Sequence, residues 1–92
     1  MIVKDGNICR VSGPMTIASS AALLDDARKL LNGDVTSVDL GEVSDVDSSA
    51  VSVLLQWIRE AKQKNQKIVF SNLPENLKSL ASLYGVLEFV SA

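Results

Sequence analysis

Asp47, Ser48 and Ser49 stand directly before the longest helix-periodic stretch of the chain, and their side chains are the best placed to do chemistry. Aspartate and serine oxygens accept hydrogen bonds from the unpaired amides of a first helical turn, so one role for them is capping. The same place suits a phosphate, because free amides and the positive end of the helix dipole would face it. A phosphoserine adds about −1.5 to −2 charges. Beside Asp47, in a chain of formal net charge −2, that would nearly double the total and alter any surface docked there. The pattern alone leaves both roles open.

Other constellations are weaker. Asp45 and Asp47 can be read as paired carboxylates, but a solvated loop with capping duty accounts for them, with nothing nearby to complete a site. The chain has no histidine, which removes Ser-His-Asp and Cys-His pairs and the commonest metal ligand. Its single cysteine, Cys9, cannot form an internal disulfide and reads as a small apolar residue on a strand, which suits a reducing compartment. No glycine-rich phosphate cradle of known type is present. The expectation is a protein without catalytic residues, metal or cofactor.

The elements that must position Ser48 follow from punctuation and periodicity. Ile2 to Lys4 and Ile8 to Val11 read as two strands joined by a hairpin turn at Asp5-Gly6-Asn7. Ser12-Gly13-Pro14 is expected to break the second. Ser19 or Ser20 caps a helix whose apolar positions are Leu23, Leu24, Ala27, Leu30 and Leu31, with Asn32-Gly33 as its left-handed stop. Val35 to Leu40 makes a third strand, and a loop runs from Gly41 to Val46. A long helix extends from Asp47-Ser48-Ser49 to about Lys64, where Lys62, Lys64 and Lys67 complement the helix dipole. Ile68-Val69-Phe70 reads as a short central strand, buried on both faces. Asn72-Leu73-Pro74-Glu75 opens a last helix with a stripe at Leu77, Leu80, Ala81 and Tyr84, ended by Gly85.

The order β-β-α-β-α-β-α implies an α/β fold: a four-stranded mixed sheet whose helices pack mainly on one face. Two strand-helix-strand units should cross over right-handed. Ninety-two residues make one domain, 1–92, without linker or internal repeat.

The long helix carries more apolar surface than a sheet requires. Its apolar residues spread over roughly 200°, against the somewhat more than 100° that a helix lying on a sheet needs. Val53 and Trp57 lie together on one flank of the excess. Either neighbouring helices cover that flank, or the chain's single tryptophan sits at the rim of a protein interface.

An acidic pI of about 4.9 lacks the electrostatic footprint of a nucleic-acid binder. The start Met1-Ile2-Val3-Lys4-Asp5 has no signal-peptide pattern, and no apolar run approaches the ~20 residues that span a bilayer. Both point to a soluble, cytoplasmic protein.

Taken in order, Val38-Asp39-Leu40, Val43 to Ala50, the long helix, Ile68-Val69-Phe70 and Leu83-Tyr84-Gly85-Val86 resemble the STAS family, the sulfate-transporter and anti-sigma-factor-antagonist domain. The resemblance covers essentially the whole chain. It implies a non-catalytic binding module whose phosphoacceptor or key contact residue is Ser48, flanked by Asp47 and Ser49. It also implies that partners dock there and on the loop from Gly13 to Ile17. The partner interface is expected at Pro14, Met15, Thr16, Asp47, Ser48, Ser49, Val53 and Trp57. Anti-sigma factor antagonists typically carry Gly-Glu-x-Asp in that loop and glycine after the Asp-Ser-Ser/Thr. This chain has Gly13-Pro14-Met15-Thr16 and Ala50 instead. The short form and the Tyr84-Gly85-Val86 ending look more like the MlaB-type component of bacterial phospholipid ABC transporters, which sits on the cytoplasmic ATPase at the inner membrane. The first expectation is therefore an accessory subunit bound to a transporter ATPase. The alternative is an antagonist switched by an anti-sigma serine kinase.

Overall fold

A computed structural model describes residues 1–31 and 34–87. The elements run β1 (Ile2–Asp5), β2 (Ile8–Met15), α1 (Ser20–Leu30), β3 (Ser37–Val46), α2 (Ser48–Gln63), β4 (Val69–Ser71) and α3 (Glu75–Leu83). Among the described residues the strands form one sheet in the order β1-β2-β3-β4. β1 and β2 are antiparallel across the Asp5-Gly6-Asn7 turn, where Gly6 supplies the positive φ of 63°. The β2–β3 and β3–β4 pairs are parallel.

Each parallel connection steps one strand in the same direction across the sheet. Right-handed crossovers therefore lay α1 and α2 on the same face. Register and burial agree with this. Cys9, Val38 and Phe70 align in one row across the sheet and are all buried. They share a single core with Leu23 and Ala27 of α1, Val53, Leu54 and Trp57 of α2, and Leu77 and Ala81 of α3. The next row, Val3, Arg10, Asp39 and Ser71, points the other way. On that uncovered face Val3 is 50% exposed, and Arg10 pairs with Asp5 at 2.8 Å.

Several boundaries differ from the sequence reading. β2 does not stop at Ser12-Gly13-Pro14 but continues to Met15. Register shifts between Arg10 and Ser12 and between Gly13 and Met15 absorb the left-handed Gly13 (φ 81°) and the missing amide of Pro14. The stretch from Gly41 to Val46 is not a loop; it is the second half of β3, paired with Ser12, Gly13 and Met15. β4 lies at the sheet edge rather than the centre, which leaves Val69 42% exposed. Tyr84 follows α3 at its C-cap and is 55% exposed, so it falls outside the buried stripe of Leu77 and Ala81. Gly85 ends α3 with a φ of 72°. The Asn32-Gly33 stop lies outside the described residues.

The apolar excess of α2 is covered from within. Trp57 is 2% exposed, and its indole stacks on Phe70 with ring centroids 6.4 Å apart. Ala27 and Leu31 of the α1 segment and Ile68 close around it. The indole N–H is buried without a hydrogen-bond partner among the described residues.

Candidate protein interface

The long halves of β2 and β3 end side by side, with Met15 paired to Val46. This delivers the loop after β2 and the start of α2 to the same end of the sheet. The Asp47 amide donates to the Met15 carbonyl at 3.4 Å. Asp47 itself adopts the extended backbone of an N-cap, φ −132° and ψ −171°.

Its two carboxylate oxygens face different partners. Oδ1 accepts from the Ser49 amide at 2.9 Å and from the Ser49 hydroxyl, which caps the first turn of α2. Oδ2 accepts from the Ile17 amide at 3.0 Å. The Ser49 hydroxyl, and after it the Ile17 amide, hold this carboxyl below the usual aspartate range; partial burial opposes them. One acidic side chain thus fastens the β2–α1 loop to the helix start.

The loop is also tied within itself. Ser19 Oγ accepts from the Thr16 amide at 3.0 Å and donates to the Pro14 carbonyl at 2.8 Å. Ser20 Oγ donates to the Ile17 carbonyl at 3.1 Å. Ser19 is the N-cap residue of α1 but makes no capping bond to it, because its hydroxyl is spent on the loop. Ile17 is 74% exposed, with both of its backbone polar groups held.

Ser48 is exposed at the first position of α2 and opens on a shallow groove shared with Ser52, Leu55 and Tyr84. Its neighbour Asp47 is committed to structural hydrogen bonds with Ile17 and Ser49, and Ser48 is left exposed to solvent. Asp45 is exposed on β3, and no group of metal-ligating side chains occurs among the described residues.

The structure therefore brings together Pro14, Thr16, Asp47, Ser48 and Ser49. It does not bring Met15, Val53 or Trp57 to that surface. Met15 is 1% exposed, Val53 3% and Trp57 2%, all within the core. The physical reason is that α1, α3 and Phe70 already occupy the wide apolar flank of α2, so the tryptophan is core rather than rim. Ile17 was not singled out by its residue type. The signal available was the uncharged run from Val11 to Leu24, in a chain with 22% charged residues.

The family model described as "Mlab, STAS domain" matches residues 4–91. The chain belongs to the STAS family. Such domains are binding and regulatory modules that typically lack catalytic activity. Among solved structures, the chain resembles the anti-sigma factor antagonist SpoIIAA in its unphosphorylated form. The TM-score is 0.74 at 16% identity, covering 98% of this chain and 84% of that one. The phosphorylated form of SpoIIAA, a Bacillus cell fate determinant, gives 0.68 at 16% identity, with 98% and 86% covered. The structure of Mglu gives 0.62 at 17% identity over 84% of this chain, which spans only 20% of that protein. At these identities the likeness establishes the shared fold. No curated protein matches the sequence significantly. No helix among the described residues is long and apolar enough to cross a membrane.

Proposed function

We propose that this STAS domain is a regulatory subunit that docks on the cytoplasmic ATPase of a bacterial phospholipid ABC transporter. The contact is made by the β2–α1 loop and the first turn of α2, with Ser48 at its centre. One observation carries this reading: Asp47 binds Ile17 and Ser49 at once, so loop and helix start form a single prearranged surface around an exposed serine. The description of the matching family model, which names Mlab, supports the transporter assignment. So does Gly13-Pro14-Met15-Thr16, which lacks the acidic pair typical of anti-sigma factor antagonists. In this role the domain supports assembly and activity of the ATPase and is held at the inner membrane only through that partner.

Co-purification from the native cell tests the assignment. Recovery of a transporter ATPase in stoichiometric amount is the expected result. Recovery of a serine kinase instead, with phosphate on Ser48 by intact-mass analysis, would replace the transporter role by the switched-antagonist role.

A further inference from the structure

We infer that Ile17 is the anchor of this interface, and that it inserts into an uncharged apolar pocket on the protein partner. This rests on the docking surface proposed above and names the chemistry that recognises it. Three observations converge on Ile17. It is a large β-branched residue left 74% exposed, and burying such a side chain is where a partner gains most. Its backbone is fixed on both sides, the amide by Asp47 and the carbonyl by Ser20. Fixing a residue before association removes ordering costs that would otherwise subtract from affinity.

The third observation is charge. From Val11 to Leu24 the chain carries no Asp, Glu, Lys or Arg, and from Ser48 to Ile58 it again carries none. The charge that does touch Ile17 is the Asp47 carboxylate between these segments, and both of its oxygens are taken up by hydrogen bonds within the chain. Pro14, Ala18 and Ser48 are the exposed neighbours of Ile17 in sequence or across the Asp47 link. The cores of protein interfaces are depleted of charge in this way, whereas phosphate-bearing ligands and lipid headgroups are met by Lys and Arg. The occupant is therefore a protein with a neutral apolar socket. Asp47 is the positioning residue that sets the angle at which Ile17 enters it.

Calorimetric titration of the chain against the transporter ATPase subunit from the same organism tests this. Ile17→Ala should raise Kd on the order of tenfold, and Ile17→Asp should abolish measurable binding. Ile17→Ala changes an exposed side chain and should keep the parent's unfolding midpoint; Ile17→Asp sets a second carboxylate beside Asp47, so its folded state is verified by circular dichroism before binding is read. Val3→Asp, on the uncovered sheet face, should leave Kd unchanged. Raising salt from about 50 to 500 mM should move the parental Kd by less than about threefold, since Asp47, the charge beside Ile17, is engaged within the chain. Unchanged binding by Ile17→Asp, or a steep salt dependence, overturns the anchor while leaving the docking assignment intact. Failure of the parent chain to bind the ATPase overturns that assignment and the anchor with it. Self-association that Ile17→Asp abolishes would replace the foreign socket by a second copy of the chain.

Discussion

The Asp47 carboxylate accepts the backbone N–H of Ile17 at 3.0 Å, across 30 positions of sequence. Its other oxygen caps α2 through Ser49, so one side chain serves two segments of different kinds. The two duties are chemically separable. Asparagine is as good an N-cap as aspartate, but its amide nitrogen cannot accept from a second N–H. Asp47→Asn should keep the helix start and release the loop. Asp47→Ala should lose both. Amide hydrogen exchange checks this: Ile17 should exchange faster in both variants and Ser49 only in the alanine variant, which should also unfold at the lower temperature.

Acid should act on the same residue. The Asp47 pKa is depressed in the folded chain by hydrogen bonds to its charged form. Its stabilising contribution is therefore complete above the ordinary aspartate range, near pH 4, and lost as pH falls through the lower folded-state value. Stability measured by denaturant melts should show this acid-side loss in the parent and a smaller one in Asp47→Asn, with no difference in slope between pH 5 and 7.

Trp57 should behave as a core residue in every assay. Trp57→Ala should cost about 3–5 kcal/mol of folding stability by leaving a large cavity beside Phe70. Trp57→Phe should cost much less, about 1–2 kcal/mol, because it keeps an aromatic ring in place and removes an indole N–H that has no partner among the described residues. Chemical denaturation of the two variants gives both numbers. The phenylalanine variant, once folded, should bind a partner as the parent does.

Cys9 is fully buried, and burial pushes its thiol pKa up, with Lys4 opposing and Asp34 adding to the rise. The native state therefore favours the neutral thiol. That preference is fully present below the unfolded thiol pKa, about 8.5, and is lost as pH rises through the folded value. Labelling by a disulfide reagent should be slow in the native chain and should accelerate as denaturant opens it. Rapid stoichiometric labelling at neutral pH would contradict the burial.

Much of the fold was legible because periodicity and punctuation report local backbone. The hairpin glycine, the Asp47 cap, the stripes of α1 and α2 and the Gly85 stop all act within a few residues of themselves. What misled was information held between segments. Ser12-Gly13-Pro14 carries every local sign of a strand end, yet pairing with Glu42, Val43 and Val46 keeps β2 going through two irregularities. Ile68 to Phe70 is apolar enough for a central strand, but strand order is a property of the whole sheet. At the site, Ser48 and Asp47 were found because capping chemistry is local. Trp57 reads as a rim residue from helical periodicity alone, because what covers it, Phe70 and the α1 segment, belongs to other elements brought over α2 by the crossovers. Ile17 lies in the Gly13–Ile17 loop that the family resemblance marks for docking, but an isoleucine in a loop has no motif of its own; the absence of charged residues over Val11 to Leu24 is the further mark on it.

A surface poor in charge gives up most long-range attraction, and this sets the tempo of an encounter. Unsteered protein pairs associate at about 10⁵–10⁶ M⁻¹s⁻¹, one hundred-fold or more below the electrostatically guided cases. Whatever affinity the Val11–Leu24 surface achieves must then come from slow departure. In the proposed docking role, a surface so built favours long residence on its partner over rapid exchange.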